Sequence, residues 1–294
     1  MSQQIRKISL ITNFNIHDKA RCALEVAKKL KGLGCEVVTS YYNKERIERI
    51  TTEDTGIIYV ANDRIYRDVE AIVVLGGDGT ILECARRAAP LGLPIIGINL
   101  GRLGYMAELE ISEIDGLERV VSGDYELEER SMLSVEIVTG DGRVRSSNYA
   151  LNDAVLSNGS ISRIVDLELY EGGVLVSAYR SDGLIVATPT GSTAYSMSAG
   201  GAIVDPRLSC ICVTPICPHS LSARPLIFPD NARISVKNVC QREKMLYLTV
   251  DGRANFELFK GESVQITRSP LTTRFIRLGS SSFYQTLRQK MNEK

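Results

Sequence analysis

Three glycines surround a single carboxylate and a hydroxyl in Gly76-Gly77-Asp78-Gly79-Thr80. The apolar run Ala71-Ile72-Val73-Val74-Leu75 leads directly into it. Such an uninterrupted, β-branched run reads as a strand buried on both faces of a parallel sheet. Glycine tolerates positive φ, and its missing Cβ lets backbone N–H groups approach a phosphate closely. The following segment, residues 80–89, reads as a helix whose N-terminus favours an anion at the same spot. A lone acid in a phosphate cradle is electrostatically unfavourable unless it accepts a proton or helps to hold a metal. The alternative is a plain strand-to-helix turn with Asp78 as N-cap.

Two further stretches offer binding chemistry. Residues 97–105, Gly-Ile-Asn-Leu-Gly-Arg-Leu-Gly-Tyr, form a second glycine-rich exit from a strand, but their spacing does not match the dinucleotide fingerprint G-x-G-x-x-G. Residues 180–201 are rich in glycine and small hydroxylated side chains and carry little charge. They read as a binding loop, with Tyr195 offering a flat face to a ring; the alternative is a surface loop. Cys210, Cys212 and Cys217 lack paired C-x-x-C spacing and alternate with Ile211, Val213 and Ile216, as small apolar residues of a strand do. Two histidines, His17 and His219, leave little material for a histidine metal site or a Ser-His-Asp triad. Neither a P-loop, a protein-kinase H-R-D/D-F-G pair, H-E-x-x-H nor G-x-S-x-G occurs.

The elements that must position these residues fall into two halves. A chain of 294 residues suggests two moderate domains. Thirty-five basic and 35 acidic residues cancel, which gives no nucleic-acid footprint. No apolar stretch is long enough to span a bilayer and no secretory signal opens the chain, so no membrane association is expected. An odd number of scattered cysteines, seven, fits reduced thiols in a cytoplasmic protein. Strands at 7–12, 35–40, 71–75 and 93–98 alternate with helices at 19–33 and 80–89, the rhythm of an α/β domain with an open parallel sheet. A helix over 112–121, with Ser112 as N-cap, closes it. From about residue 124 strands alternate with hairpin turns such as Thr139-Gly140-Asp141-Gly142, which predicts a mainly antiparallel β domain. The expected division is 1–123, 124–270 and a C-terminal segment 271–294, helical over 282–291 and returning to the first domain.

Taken in order, these motifs resemble the NAD kinase family. The resemblance rests on Gly76 to Thr80, Gly97 to Tyr105, Asn152-Asp153, Asp182-Gly183 through Gly201, and Pro218 to Leu226. The long threonine/serine loop is the most specific part, because the Gly-Gly-Asp-Gly-Thr turn also occurs in lipid kinases and, loosely, in phosphofructokinases. The resemblance implies an enzyme that transfers the γ-phosphoryl of ATP to the 2′-hydroxyl of the adenosine ribose of NAD, with Mg²⁺ or another divalent cation. Asp78 would take the hydroxyl proton, in a cleft between the two domains. Gly76, Gly77, Gly79 and Thr80 would face the phosphates of ATP. Asp78, Gly79, Tyr105, Asn152, Asp153, Arg163, Arg180, Asp182, Thr193, Ala194, Tyr195 and Ser198 would contact NAD, and no protein side chain is assigned as a metal ligand. A homodimer or homotetramer is implied. Two departures stand out: Asp153 occupies a position where relatives often have glutamate, and Arg253 follows Asp251-Gly252 where bacterial relatives often carry glutamine. The competing readings are a lipid or other small-molecule kinase and a non-catalytic dinucleotide sensor. The sensor reading is weakened by Asp78, since binding alone would favour a neutral group there.

Overall fold

The computed structural model describes residues 4–101, 104–159, 164–240, 246–279 and 282–292. The chain divides into two compact units: Met1–Glu129 with Thr273–Lys294, and Arg130–Thr272. The first unit begins with β1 (Lys7–Ile11), α1 (His17–Gly32), β2 (Glu36–Ser40), α2 (Lys44–Glu48) and β3 (Ile58–Val60). It continues with β4 (Ala71–Leu75), α3 (Asp78–Ala88), β5 (Pro94–Asn99), β6 (Leu109–Glu110) and α4 (Leu117–Ser122). Its strands lie in the order β3-β2-β1-β4-β5, all parallel, with Ile8 opposite Ala71 and Val74 opposite Gly97.

All five residues of β4 are fully buried, as a strand covered on both faces requires. Each large aliphatic side chain sealed in this way contributes about 1.5–3 kcal/mol. α1 packs Ala20, Ala23, Val26, Ala27 and Leu30 into this core. Three alanines on that face let the helix backbone approach the sheet. The short edge strand β3 carried no clear sequence signal. The helix expected to start from Ser112 is instead a 3₁₀ segment, Ile111–Gly116, running into α4. Its start is closed by the Glu113 carboxylate, which accepts the Glu110 N–H at 2.9 Å, so Ser112 is not the cap.

The second unit is built from β7 (Glu126–Val138), β8 (Val144–Ala150), β9 (Asp153–Asn158), β10 (Val165–Glu171), β11 (Val174–Ser181) and β12 (Gly183–Ala187). α5 (Tyr195–Ser198), β13 (Cys210–Ile216), β14 (Leu226–Pro229), β15 (Ile234–Asn238), β16 (Leu246–Val250), β17 (Ala254–Leu258) and β18 (Ser263–Arg277) complete it. β7 enters from the first unit, and β18 runs on into it. One antiparallel sheet has the order β14-β13-β12-β9-β16-β17; β11, β10, β15 and the first part of β18 pair antiparallel in a second. Their inward-facing side chains, among them Leu156, Leu167, Leu184, Val213, Leu248 and Ile266, form a separate core. β12 corrects the reading of 180–201 as one loop, since Gly183 to Ala187 is a wholly buried strand between β9 and β13. The last helix, α6 (Phe283–Asn292), belongs to the first unit.

Candidate active site

The glycine turn takes its shape from two constraints. Gly76 has φ of 152°, and a Cβ there would lie 2.7 Å from Thr80 Oγ1, so only glycine fits. The Gly76 N–H donates to the Ile98 carbonyl at 2.9 Å, which pins the turn to β5. Asp78 is the first residue of α3, with Gly77 in the cap position. The Asp78 side chain does not cap its own helix, which corrects the N-cap alternative. Its Oδ2 accepts the Tyr105 N–H at 3.0 Å and its Oδ1 the Met106 N–H at 3.2 Å. A carboxylate offers about four lone-pair sites, so these two bonds fix its plane and leave the rest available. Asp78 is only half-buried, so part of its carboxylate remains open to solvent.

The second glycine-rich stretch supplies the other half of that arrangement. Gly104 passes so close to the carboxylate that any Cβ would collide with Asp78 Oδ1. Asn99 folds the preceding segment back by donating from Nδ2 to the Gly101 carbonyl at 2.9 Å. Arg277 holds the far side, donating to the Met106 carbonyl at 3.2 Å while pairing with Glu128 at 2.6 Å and Glu108 at 3.2 Å. The Tyr105 ring stands 6.5 Å from that of Phe283, and the Lys290 ammonium lies 4.9 Å from its centroid.

In the second unit the loop before β9 brings Asn152 and Asp153 together, both buried. Asp251 organises this loop: its Oδ1 accepts the N–H of Asn152 at 2.8 Å and of Asp153 at 3.1 Å, and its Oδ2 that of Leu151 at 2.9 Å. Asp251 sits at φ of 49° in the β16–β17 turn, a conformation aspartate tolerates better than most residues. Burial, reinforced by the nearby Asp251 charge, pushes the Asp153 carboxyl up to about 7. Among the described residues, Asn152 Oδ1 is buried without a hydrogen-bond partner. An orphaned acceptor of this kind costs free energy unless something donates to it, which suits a ligand-facing amide.

The hydroxyl-rich segment packs onto that loop. Thr188 donates from Oγ1 to the Leu151 carbonyl at 2.5 Å and accepts the Gly191 N–H at 3.0 Å. Gly191 lies so close to the Asn152 backbone that a side chain there would overlap it. Thr193 is buried with its hydroxyl on the Thr190 carbonyl, Ala194 is half-buried, and Tyr195 and Ser198 are exposed on α5. Arg180 and Asp182 are also exposed. The Arg180 carbonyl accepts the His219 N–H at 2.9 Å, and Arg180 lines a 270 Å³ cavity with Ser220, Ser222 and Arg224. Arg163 lies outside the described residues.

Sequence reasoning missed Asp251, Arg277, Thr188 and the close approach of Gly104. Asp251 drew notice only as part of the pair preceding Arg253, and nothing local marked its partners about 100 residues away. Arg277 left no signal at all.

The comparisons with known proteins place the chain in a family. Residues 8–125 match the ATP-NAD kinase N-terminal domain and residues 151–278 the ATP-NAD kinase C-terminal domain. An NAD kinase of Heliobacterium modesticaldum is 45% identical over 232 residues, covering 79% of this chain and 81% of that one. One of Citrifermentans bemidjiense is 37% identical over 292 residues, 98% of each. Among solved structures, yeast NADH kinase complexed with NADH matches with a TM-score of 0.90 at 25% identity, covering 99% of this chain and 89% of that one. An Archaeoglobus fulgidus NAD kinase in complex with ATP matches with a TM-score of 0.70 at 25% identity, covering 97% of each. The fold and turn define a phosphotransferase, and the chain belongs to the ATP-NAD kinase family. Its activity is the ATP-dependent phosphorylation of NAD to NADP.

Proposed function

We propose that Asp78 is the proton acceptor of this reaction. The 2′-oxygen of the adenosine ribose of NAD attacks the γ-phosphorus of ATP, and its proton passes to the Asp78 carboxylate. A bond forms between that oxygen and phosphorus, the bond to the β,γ-bridging oxygen breaks, and ADP leaves with the electron pair. The carrying observation is the carboxylate held by the Tyr105 and Met106 amides with acceptor capacity to spare. Phosphoryl transfer depends on positioning and charge neutralisation more than on covalent chemistry, so a fixed carboxylate suffices as the protein's own reactive group.

The resemblance extends this reading to the substrates. Gly79, Tyr105, Asn152, Asp153, Arg163, Arg180, Asp182, Thr193, Ala194, Tyr195 and Ser198 contact the dinucleotide. Buried Asn152 Oδ1 supports its part in this, because a donor from the ligand would relieve it. Gly76, Gly77, Gly79 and Thr80 shape the phosphate cradle; the amides of Gly76 and Thr80 already donate to Ile98 and Gly77, so these two act through shape. Among the described residues no group of three or more His, Cys, Asp or Glu side chains is placed to hold a metal. A Mg²⁺ ion bound chiefly by water and nucleotide phosphates fits such a site, with Asp78 the carboxylate able to join its shell. When bound, the ion would neutralise charge on the transferring phosphoryl group. Among the described residues no helix is long and apolar enough to cross a membrane. A cytoplasmic homodimer or homotetramer completes the reading. Replacing Asp78 with Asn should lower NADP formation about 10²–10⁴-fold at saturating ATP, Mg²⁺ and NAD; wild-type turnover would remove Asp78 from this role.

A further inference from the structure

The first unit carries a cavity that the contacts above do not use. Just past the carboxyl end of β2, Tyr41 and Tyr42 project from a 3₁₀ turn with 61% and 74% of their surface exposed. The turn is braced: Ser40 Oγ accepts the Tyr42 N–H at 3.3 Å, and Arg46 donates to the Tyr42 carbonyl at 2.8 Å. These rings, with Tyr59, Asn62 and Asp63 at the end of β3 and Arg87 of α3, line a cavity of about 770 Å³. Its volume is that of a small-molecule site.

Exposed aromatic side chains grouped around a cavity mark a binding surface rather than a solvated one. Flat rings accept the face of a planar heterocycle, and Asn62 carries an amide that can both donate to and accept from its edge. Arg87, which pairs with Glu83 at 3.3 Å, adds a cation at the rim. The location narrows the ligand. In an open α/β sheet, ligands bind beyond the carboxyl ends of the strands. The tyrosines follow β2 and the Asp78 turn follows β4, with only β1 between them. Two strand spacings amount to roughly 10 Å, a gap that a ribose and triphosphate can cross. At the end of β1, Thr12 Oγ1 donates to the Leu75 carbonyl at 2.9 Å, tying the intervening strand end to the turn.

We propose that the tyrosine cavity holds the adenine of the donor nucleotide while its triphosphate passes the end of β1 to the Asp78 turn. This rests on the placement of the γ-phosphoryl at Asp78 and adds the residues that select a nucleoside triphosphate over a bare polyphosphate. The test measures KM for ATP and KM for NAD in the double variant Tyr41→Ala/Tyr42→Ala, with Tm recorded to confirm folding. Loss of base stacking should raise KM for ATP about tenfold and leave KM for NAD within twofold. The variant Tyr41→Phe/Tyr42→Phe, which keeps both rings, should restore ATP affinity. An unchanged KM for ATP, an equal rise in both constants, or no rescue by phenylalanine would overturn the proposal. Its failure is separable from that of the Asp78 role, which is read in kcat of Asp78→Asn.

Discussion

Among the described residues, Asp78 and Asp251 each accept backbone N–H groups from residues distant in sequence, and the contrast between them bears on which acid is free to act on a substrate. Asp78 accepts two, from Tyr105 and Met106, and stays half-exposed. Asp251 accepts three, from Leu151, Asn152 and Asp153. The first bonding pattern orients a carboxylate and leaves lone pairs facing outward; the second uses the carboxylate to shape a loop. Amide donors onto an acid are therefore not evidence of catalysis by themselves. What distinguishes Asp78 is the open acceptor capacity beside a glycine turn at the end of a parallel strand.

The first arrangement can also be broken away from the acid itself. Gly104→Ala would drive a Cβ into Asp78 Oδ1 and swing the carboxylate away. NADP formation should fall at least ~10²-fold, the low end for loss of a positioned general base. A rate near wild type would mean that the carboxylate position is not critical. The corresponding change in the second arrangement is Asp251→Asn, which keeps the φ of 49° tolerable but puts amide hydrogens against backbone N–H groups. It should destabilise the fold by about 2 kcal/mol, seen as a fall in Tm of about 4–8 °C. If Tm holds and only turnover drops, the architectural assignment fails.

A subtler change sharpens the comparison through pH. Asp153 is raised from 3.8 to about 7 by burial and by Asp251, so the folded state binds a proton more tightly than the unfolded chain. The stability it contributes is complete below pH ~4 and is lost as pH rises through ~7. Asp153→Asn should flatten the pH dependence of Tm across that window and leave the variant relatively more stable at pH 8. An identical pH profile for both proteins would count against a buried, protonated Asp153. The smallest expected effect is Thr188→Val. Losing its hydrogen bonds to Leu151 and Gly191 should cost about 1–2 kcal/mol, measurable by urea denaturation. No loss would show that Gly191 packing alone holds the loop.

Much of this was legible in the residues themselves. The run 71–75 and the glycines after it announced a buried parallel strand feeding a helix, because composition and turn chemistry agree there. The hydroxyl-rich segment reads as a loop and so concealed β12: Leu184 to Ala187 has no alternation, since both its faces are covered. Asp251 was hidden because its partners are distant in sequence, and hydrogen bonds of that range leave no periodic trace. The Asp78 side chain pointed away from its own helix for the same reason, toward amides 27 and 28 residues further on.

The most direct test compares the two acids in one experiment. Single-turnover phosphoryl transfer, NAD affinity by calorimetry and Tm are measured side by side for Asp78→Asn and Asp251→Asn. The account predicts that Asp78→Asn loses at least ~10²-fold in transfer rate while keeping NAD affinity and Tm, and that Asp251→Asn loses Tm first. An Asp78→Asn enzyme that transfers phosphate at the wild-type rate, or fails only because it unfolds, would contradict it.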